Sequence, residues 1–208
     1  MKMKRTHYVF ALIFLAGTTL YAQRGSEQQG SIRALGGSSS PRASARVLYS
    51  NRADNSFPGQ LAIHYGQPQW RSEYEDPTTF DQMTQGRVWR MGNDFWTVLD
   101  TNLPLRIAGR DIAVGAYYLG VHRSEDGSTW SLAFMDPTKI RRAHLDASEI
   151  AKATIDFMVP MTFAIAEETT DKLDISLAAQ KDAVENVTIK VVWGTLQLTT
   201  LIQVMDLE

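Results

Sequence analysis

The sequence predicts an all-β protein, an antiparallel β-sandwich or jelly-roll-like barrel with at most one or two short helices. Three observations carry this. Apolar residues recur with period two along most of the chain, Gly- and Asp-containing turns separate the alternating runs, and a single segment has the start signal of a helix. Many short strands joined by regular turns are the pattern of sandwiches and jelly rolls.

The alternation begins with Leu61, Ile63 and Tyr65, set between Gln60, Ala62 and His64. It returns in Trp130, Leu132 and Phe134, and its longest run is Ile155, Phe157, Val159, Met161, Phe163 and Ile165. Leu173–Ile175–Leu177, Val187–Ile189–Val191–Trp193 and Leu196–Leu198 with Ile202–Val204 follow. Alternation places one set of side chains on one face of a strand, so these read as half-buried strands. Pro160 lacks the N–H that a ladder needs, so the longest run is an edge strand or bends there. Asp126-Gly127 between two apolar runs is a hairpin signal, and Ala108-Gly109-Arg110 and Thr169 to Lys172 mark two more turns. The helical segment is Asp146 to about Thr154, with Asp146 or Ser148 as its N-cap.

Ahead of the strands, residues 1–22 read as a secretory signal peptide. Lys2, Lys4 and Arg5 precede the uncharged apolar run Tyr8–Ala16, Gly17 breaks it, and Ala22 precedes a cut before Gln23. The run is shorter than the roughly 20 residues of a membrane-spanning helix. Residues 23–40 are rich in Gly, Ser and Gln and read as a flexible linker, and 41–208 as one β-sandwich domain. The expected location is therefore the periplasm or the extracellular space, with no transmembrane segment after the leader is removed.

Composition narrows the function. Loss of Lys2, Lys4 and Arg5 leaves 18 Lys and Arg against 23 Asp and Glu, a formal −5, without the basic footprint that nucleic acid requires. Cysteine is absent, which excludes thiol nucleophiles, Cys-zinc sites and disulfide staples. His64, His122 and His144 stand on separate elements without a His-x-His or His-Glu-x-x-His pattern, so no metal or other cofactor is expected. The acidic runs Glu73 to Asp76 and Glu167, Glu168 with Asp171 lack calcium-loop spacing and read as solvated loops. No Gly-x-Ser-x-Gly element is present, and no catalytic residue is assigned.

The candidate ligand-binding residues are Tyr65, Gln67, Trp70, Arg71, Trp89, Arg90, Asn93, Asp94 and Trp96. They fall on two connections that leave apolar strands, where loops carry binding residues. Aromatic rings beside amide and guanidinium donors suit a polar ligand with apolar faces, such as a sugar or a peptide. The expected function is a non-catalytic binding or envelope-assembly module, with polysaccharide, peptide or another envelope protein as partner. The alternative is a hydrolase of an envelope or extracellular polymer, which needs two carboxylates facing across a cleft.

Several segments together resemble the bacterial domain-of-unknown-function family numbered 2911. Ser40-Pro41-Arg42-Ala43 is similar to its start, and His64-Tyr65-Gly66-Gln67-Pro68 to its strand-ending Tyr-Gly-Arg-Pro signature. Gly86-Arg87-Val88-Trp89-Arg90-Met91-Gly92 resembles its central Gly-Lys-Val-Trp-Arg-Thr-Gly motif. Ile107-Ala108-Gly109, Gly115 to Leu119, Trp130 to Phe134 and Trp193-Gly194-Thr195 resemble its later elements. The chain departs from the pattern at polar positions: Gln67 stands where the family has Arg, Met135 where it has Asn and Gly194 where it has Glu. The family's Asn-Glu pair falls at Asn93-Asp94 or Asp94-Phe95. The resemblance implies the fold type and export, and no activity.

The leader reading is checked by N-terminal sequencing of protein recovered from the periplasm or medium. The expected first residue is Gln23; an intact Met1 on exported material contradicts it.

Overall fold

The structure is a computed structural model and describes residues 40–207; the expected leader, and all of the expected linker except Ser40, lie outside the described residues. Ten strands alternate with two short α-helices: β1 (Arg42–Asn51), β2 (Ser56–Gly66), α1 (Pro77–Thr84), β3 (Arg87–Arg90), β4 (Thr97–Thr101), β5 (Leu105–Ile107), β6 (Arg110–Ile112), β7 (Gly115–Arg123), β8 (Trp130–Met135), α2 (Pro137–Arg142), β9 (Phe157–Gln180) and β10 (Ala183–Val204). Two 3-10 turns, Ser72–Glu75 and Ala147–Lys152, complete the described elements.

All strand pairs are antiparallel, and the hydrogen-bonded path runs β1-β2-β4-β7-β8-β9-β10-β5-β6. β3 lies against the second half of β7. The path folds back at β9. Its first residues, Phe157 to Met161, pair with β8, and from Thr162 onward it pairs with β10. Pro160 sits at this handover, where a residue without an N–H costs the ladder least.

The alternating residues become the core between the two layers. Leu61, Ile63, Leu99, Leu119, Leu132 and Phe134 come from one layer and Leu173, Ile175, Ile189, Val191 and Leu198 from the other, all within one buried cluster. Two tyrosines tie the layers by their hydroxyls. The Tyr49 phenol donates to the Val184 carbonyl at 2.8 Å. The Tyr65 phenol accepts the Ile175 N–H at 3.0 Å and donates to the Ile175 carbonyl at 3.3 Å. A smaller cluster of Trp96, Met135, Ile140, Ala147 and Ile150 brings α2 and the second 3-10 turn together with residues of the first layer.

Three local expectations change. Thr169 to Lys172 is not a turn: it lies inside β9, which runs through what reads as two strands. Threonines suit a strand, and the register adapts instead, β9 advancing five positions from Ile165 to Thr170 where β10 covers only two between Gly194 and Leu196. The expected helix at Asp146 is a 3-10 turn with a full capping box between Asp146 and Glu149. The two α-helices arise from a signal used twice, Asp-Pro-Thr: Asp76 and Asp136 are N-caps, each followed by Pro at the first helical position. Ala108-Gly109 and the turn around Gly127 join β5 to β6 and β7 to β8 as expected.

Burial, with the Glu185 carboxylate next in importance, pushes the Tyr49 phenol up to about 12, and burial also raises Tyr65. A phenol raised above its unfolded value of about 10 stabilises the fold fully below that pH. The contribution is lost as pH rises through the folded value. Melting temperature is thus expected to hold up to about pH 10 and to fall toward pH 12, with a shallower fall in Tyr49→Phe, as a calorimetric pH series will register.

Candidate functional site

Two backbone segments converge beside the start of β1. The first leaves β2 as Gln67 to Arg71, and the second is the turn from Met91 to Asp94 between β3 and β4. Their close approach depends on two glycines. A Cβ on Gly66 would run into the Asn93 backbone, and Gly92, with φ of +143°, lies against Gly66. The Tyr-Gly and Met-Gly elements are therefore packing devices that hold the two segments together.

Hydrogen bonds anchor the first segment across the sandwich. The Gln67 N–H donates to the Pro41 carbonyl at 2.9 Å, and the Trp70 N–H to the Asp171 carbonyl at 2.7 Å. The Pro68 carbonyl accepts twice, from the Leu173 N–H at 3.0 Å and from the Trp193 indole at 3.1 Å. The Gln67 side-chain amide donates to the Leu173 carbonyl at 3.3 Å.

The nine candidate residues separate into three groups. Gln67, Arg71, Arg90 and Asn93 meet at one cleft of about 430 Å³, together with Tyr74, Gln69 and Trp193. In it the Arg90 guanidinium donates to Asn93 Oδ1 at 2.9 Å, which orients both side chains. Arg71 is largely exposed and pairs with Glu73 at 3.4 Å. No carboxylate or imidazole is among the described residues lining this cleft.

Tyr65, Trp70 and Trp89 form the structure behind it. Tyr65 is 2% exposed. Trp70 meets Trp193 edge-on at 5.2 Å and Tyr74 at 5.3 Å, and Trp89 lies 5.8 Å from Trp193. The Trp70 and Trp89 indole N–H groups are buried without an acceptor among the described residues. Each costs about 1–3 kcal/mol, which the aromatic packing must offset. Gly194 makes room for this packing, since with φ of +59° its missing Cβ would enter the Trp70 ring.

Asp94 and Trp96 are directed elsewhere. Asp94, itself at φ of +64°, accepts from the Ser40 N–H at 3.0 Å and the Ser40 hydroxyl at 3.3 Å and so ties down the start of β1. Trp96 stacks on Tyr118 at 4.8 Å in the smaller cluster. Of the three tryptophans expected to share a patch, Trp70 and Trp89 thus pack against Trp193, while Trp96 packs in the smaller cluster.

Sequence reasoning missed Gln69, Tyr74 and Trp193. Gln69 and Tyr74 stood within reach in the same connection, and Trp193 comes from β10, 120 residues away by number, with no local signal of its neighbours. A second concavity of about 620 Å³ between β3 and the Ala147–Lys152 turn takes in only Trp89 and Arg90 of the nine. Among the described residues no group of three His, Asp or Glu could hold a metal ion, and no helix is long and apolar enough to cross a membrane.

The family model described as "Protein of unknown function (DUF2911)" matches residues 51–202. The chain belongs to this family. No curated protein and no solved structure matches it. The DUF2911 match runs from the end of β1 into β10 and so contains most of the cleft, from Gln67 to Trp193. Gly66 and Gly92 serve backbone approach, and amide and guanidinium groups line the cleft beside them.

Trp96→Ala is expected to cost about 3–5 kcal/mol of unfolding free energy, the range for a buried Trp. Gly194→Ala should cost about 1–3 kcal/mol through overpacking against Trp70. Urea denaturation measures both; a loss below about 0.5 kcal/mol in either contradicts the packing described.

Proposed function

We propose that this member of the DUF2911 family is an exported, non-catalytic binding module whose cleft takes an acidic saccharide of the cell envelope. One observation carries the reading: Gln67, Arg71, Arg90 and Asn93 meet beside Tyr74 and Trp193 in a single cleft with no carboxylate or imidazole among the described residues that line it. Amides and guanidinium groups hydrogen-bond hydroxyls and carboxylates, and the two arginines favour an anionic ligand. Tyr and Trp offer ring surface to the apolar face of a sugar. The described residues of the lining lack the pair of carboxylates that glycoside hydrolysis uses, which favours binding over hydrolysis of the polymer. Export is supported by the basic, apolar and small-residue order of residues 1–22.

The test is calorimetric titration with uronate oligomers, with neutral glucan oligomers as control. Binding of the uronates is expected, weakening as salt rises. Arg90→Ala and Arg71→Ala are each expected to lower affinity by about tenfold, the size of one charge-assisted contact. Arg71 is exposed, so its variant should keep the melting temperature. Equal binding of glucan, or affinity unchanged in both variants, overturns the reading.

A further inference from the structure

The outer edge of β9 is satisfied at both ends and open between them. Up to Met161 it pairs with β8. At Asp171 to Leu173 it takes the Trp70 N–H, a bridge from Gln69 and the Pro68 carbonyl. From Thr162 to Thr170 no strand pairs with that edge among the described residues, and most of these side chains are exposed. Measured along its partner β10 the stretch spans about 17 Å, with Thr162 to Ile165 in regular register and a bulge between Ile165 and Thr170. Proteins guard such edges with charges, prolines, bulges or a covering element; here Thr162 to Ile165 holds none of these, and the bulge and the Glu167 and Glu168 carboxylates follow only beyond it.

Beside the open edge lies a groove of about 550 Å³ whose walls include Phe163 and Ile165 of β9 and Trp70, Tyr74 and Phe80 opposite. Ile165 is 74% exposed and Phe163 50%. An unpaired edge next to apolar pockets is the arrangement of β-strand addition, in which backbone bonds give affinity and alternate side chains enter the pockets.

The rim decides what fits. The two acidic runs, distant in sequence, are drawn together here because Trp70 is bonded to Asp171. Glu75 and Asp81 line the groove, and Glu167, Glu168 and Asp171 follow on β9. Of these only Asp81 has an ion-pair partner among the described residues, Arg123 at 2.6 Å. A second copy of this edge would bring the same carboxylates face to face, which opposes self-pairing.

We propose that the open stretch of β9 and its aromatic groove dock an extended peptide segment that alternates basic and apolar residues. The peptide completes the line between the start of β8, at Trp130, and Gln69. Its apolar side chains fill the groove and its cations meet the acidic rim. The groove shares Tyr74 with the saccharide cleft, but its test alters only Ile165, Glu167 and Glu168, none of which lines that cleft, and so does not depend on that reading.

The experiment is fluorescence anisotropy of the purified protein with a labelled synthetic peptide of about seven residues alternating lysine with valine or phenylalanine. Two control peptides carry glutamate for lysine, or N-methyl groups on alternate amides. Saturable binding of the first peptide alone is expected. Ile165→Lys places a charge on the edge and should lower affinity by about tenfold or more. Because Ile165 is largely exposed, circular dichroism of that variant should match the parent. Glu167→Gln with Glu168→Gln should weaken binding and flatten its salt dependence. Failure of the basic peptide to bind, or binding as tight by the N-methylated peptide, overturns the proposal on the unaltered protein alone. Unchanged affinity in folded Ile165→Lys overturns it as well.

Discussion

One strand belongs to both layers, and its outer edge must be satisfied twice. Phe157 to Met161 of β9 complete the first layer against β8, and the remainder opens the second layer against β10. Past the handover the edge facing away from β10 has lost β8, and buried backbone groups without partners are costly. The end of β2 and the connection after it supply the partners: the Pro68 carbonyl receives the Leu173 N–H, the Asp171 carbonyl receives the Trp70 N–H, and the Tyr65 phenol caps Ile175. The position of the cleft follows from this. Gln67, Gln69 and Arg71 alternate with residues whose backbone is already committed to β9, so their side chains are left to line a concavity.

The aromatic cluster is the second consequence of the same constraint. Once Pro68 and Trp70 are held on β9, Trp70 lies over the irregular stretch of the β9–β10 ladder, and Gly194 is the position that admits it. Trp193, Trp89, Tyr74 and Phe80 then close around the ring. Aromatic pairs at such distances contribute about 0.5–1.5 kcal/mol beyond the area they bury. That compensates a segment which, apart from α1 and one 3-10 turn, has no regular structure of its own.

Period-two alternation was legible wherever the inward residues are large, as in Leu61–Tyr65 and Trp130–Phe134. It was not legible in β1, whose inward positions begin with Ala43 and Ala45 and whose pairing with β2 rather than hydrophobicity makes it a strand. The helices α1 and α2 were missed because each is short and weakly amphipathic, although Asp76-Pro77-Thr78 and Asp136-Pro137-Thr138 state their starts. For the site, the residue types in the two connections were readable, and four of nine share the cleft. Which way each tryptophan turns was not readable, because that depends on whether β9 and β10 or the Ala147–Lys152 turn lies opposite. Trp96 faces the latter and so joins the other cluster.

The hairpin of β9 and β10 closes through a two-residue turn at Lys181-Asp182, yet it follows all the other strands of the described residues. Local pairing of this kind forms quickly, whereas joining β2 to β9 requires closure of a loop of about a hundred residues. The larger core between the layers is therefore completed only when β9 and β10 are in place, whereas the smaller cluster of Trp96, Met135, Ile140, Ala147 and Ile150 is drawn wholly from residues ahead of β9. That second cluster gives the first layer a packed face of its own, independent of the hairpin that closes the sandwich.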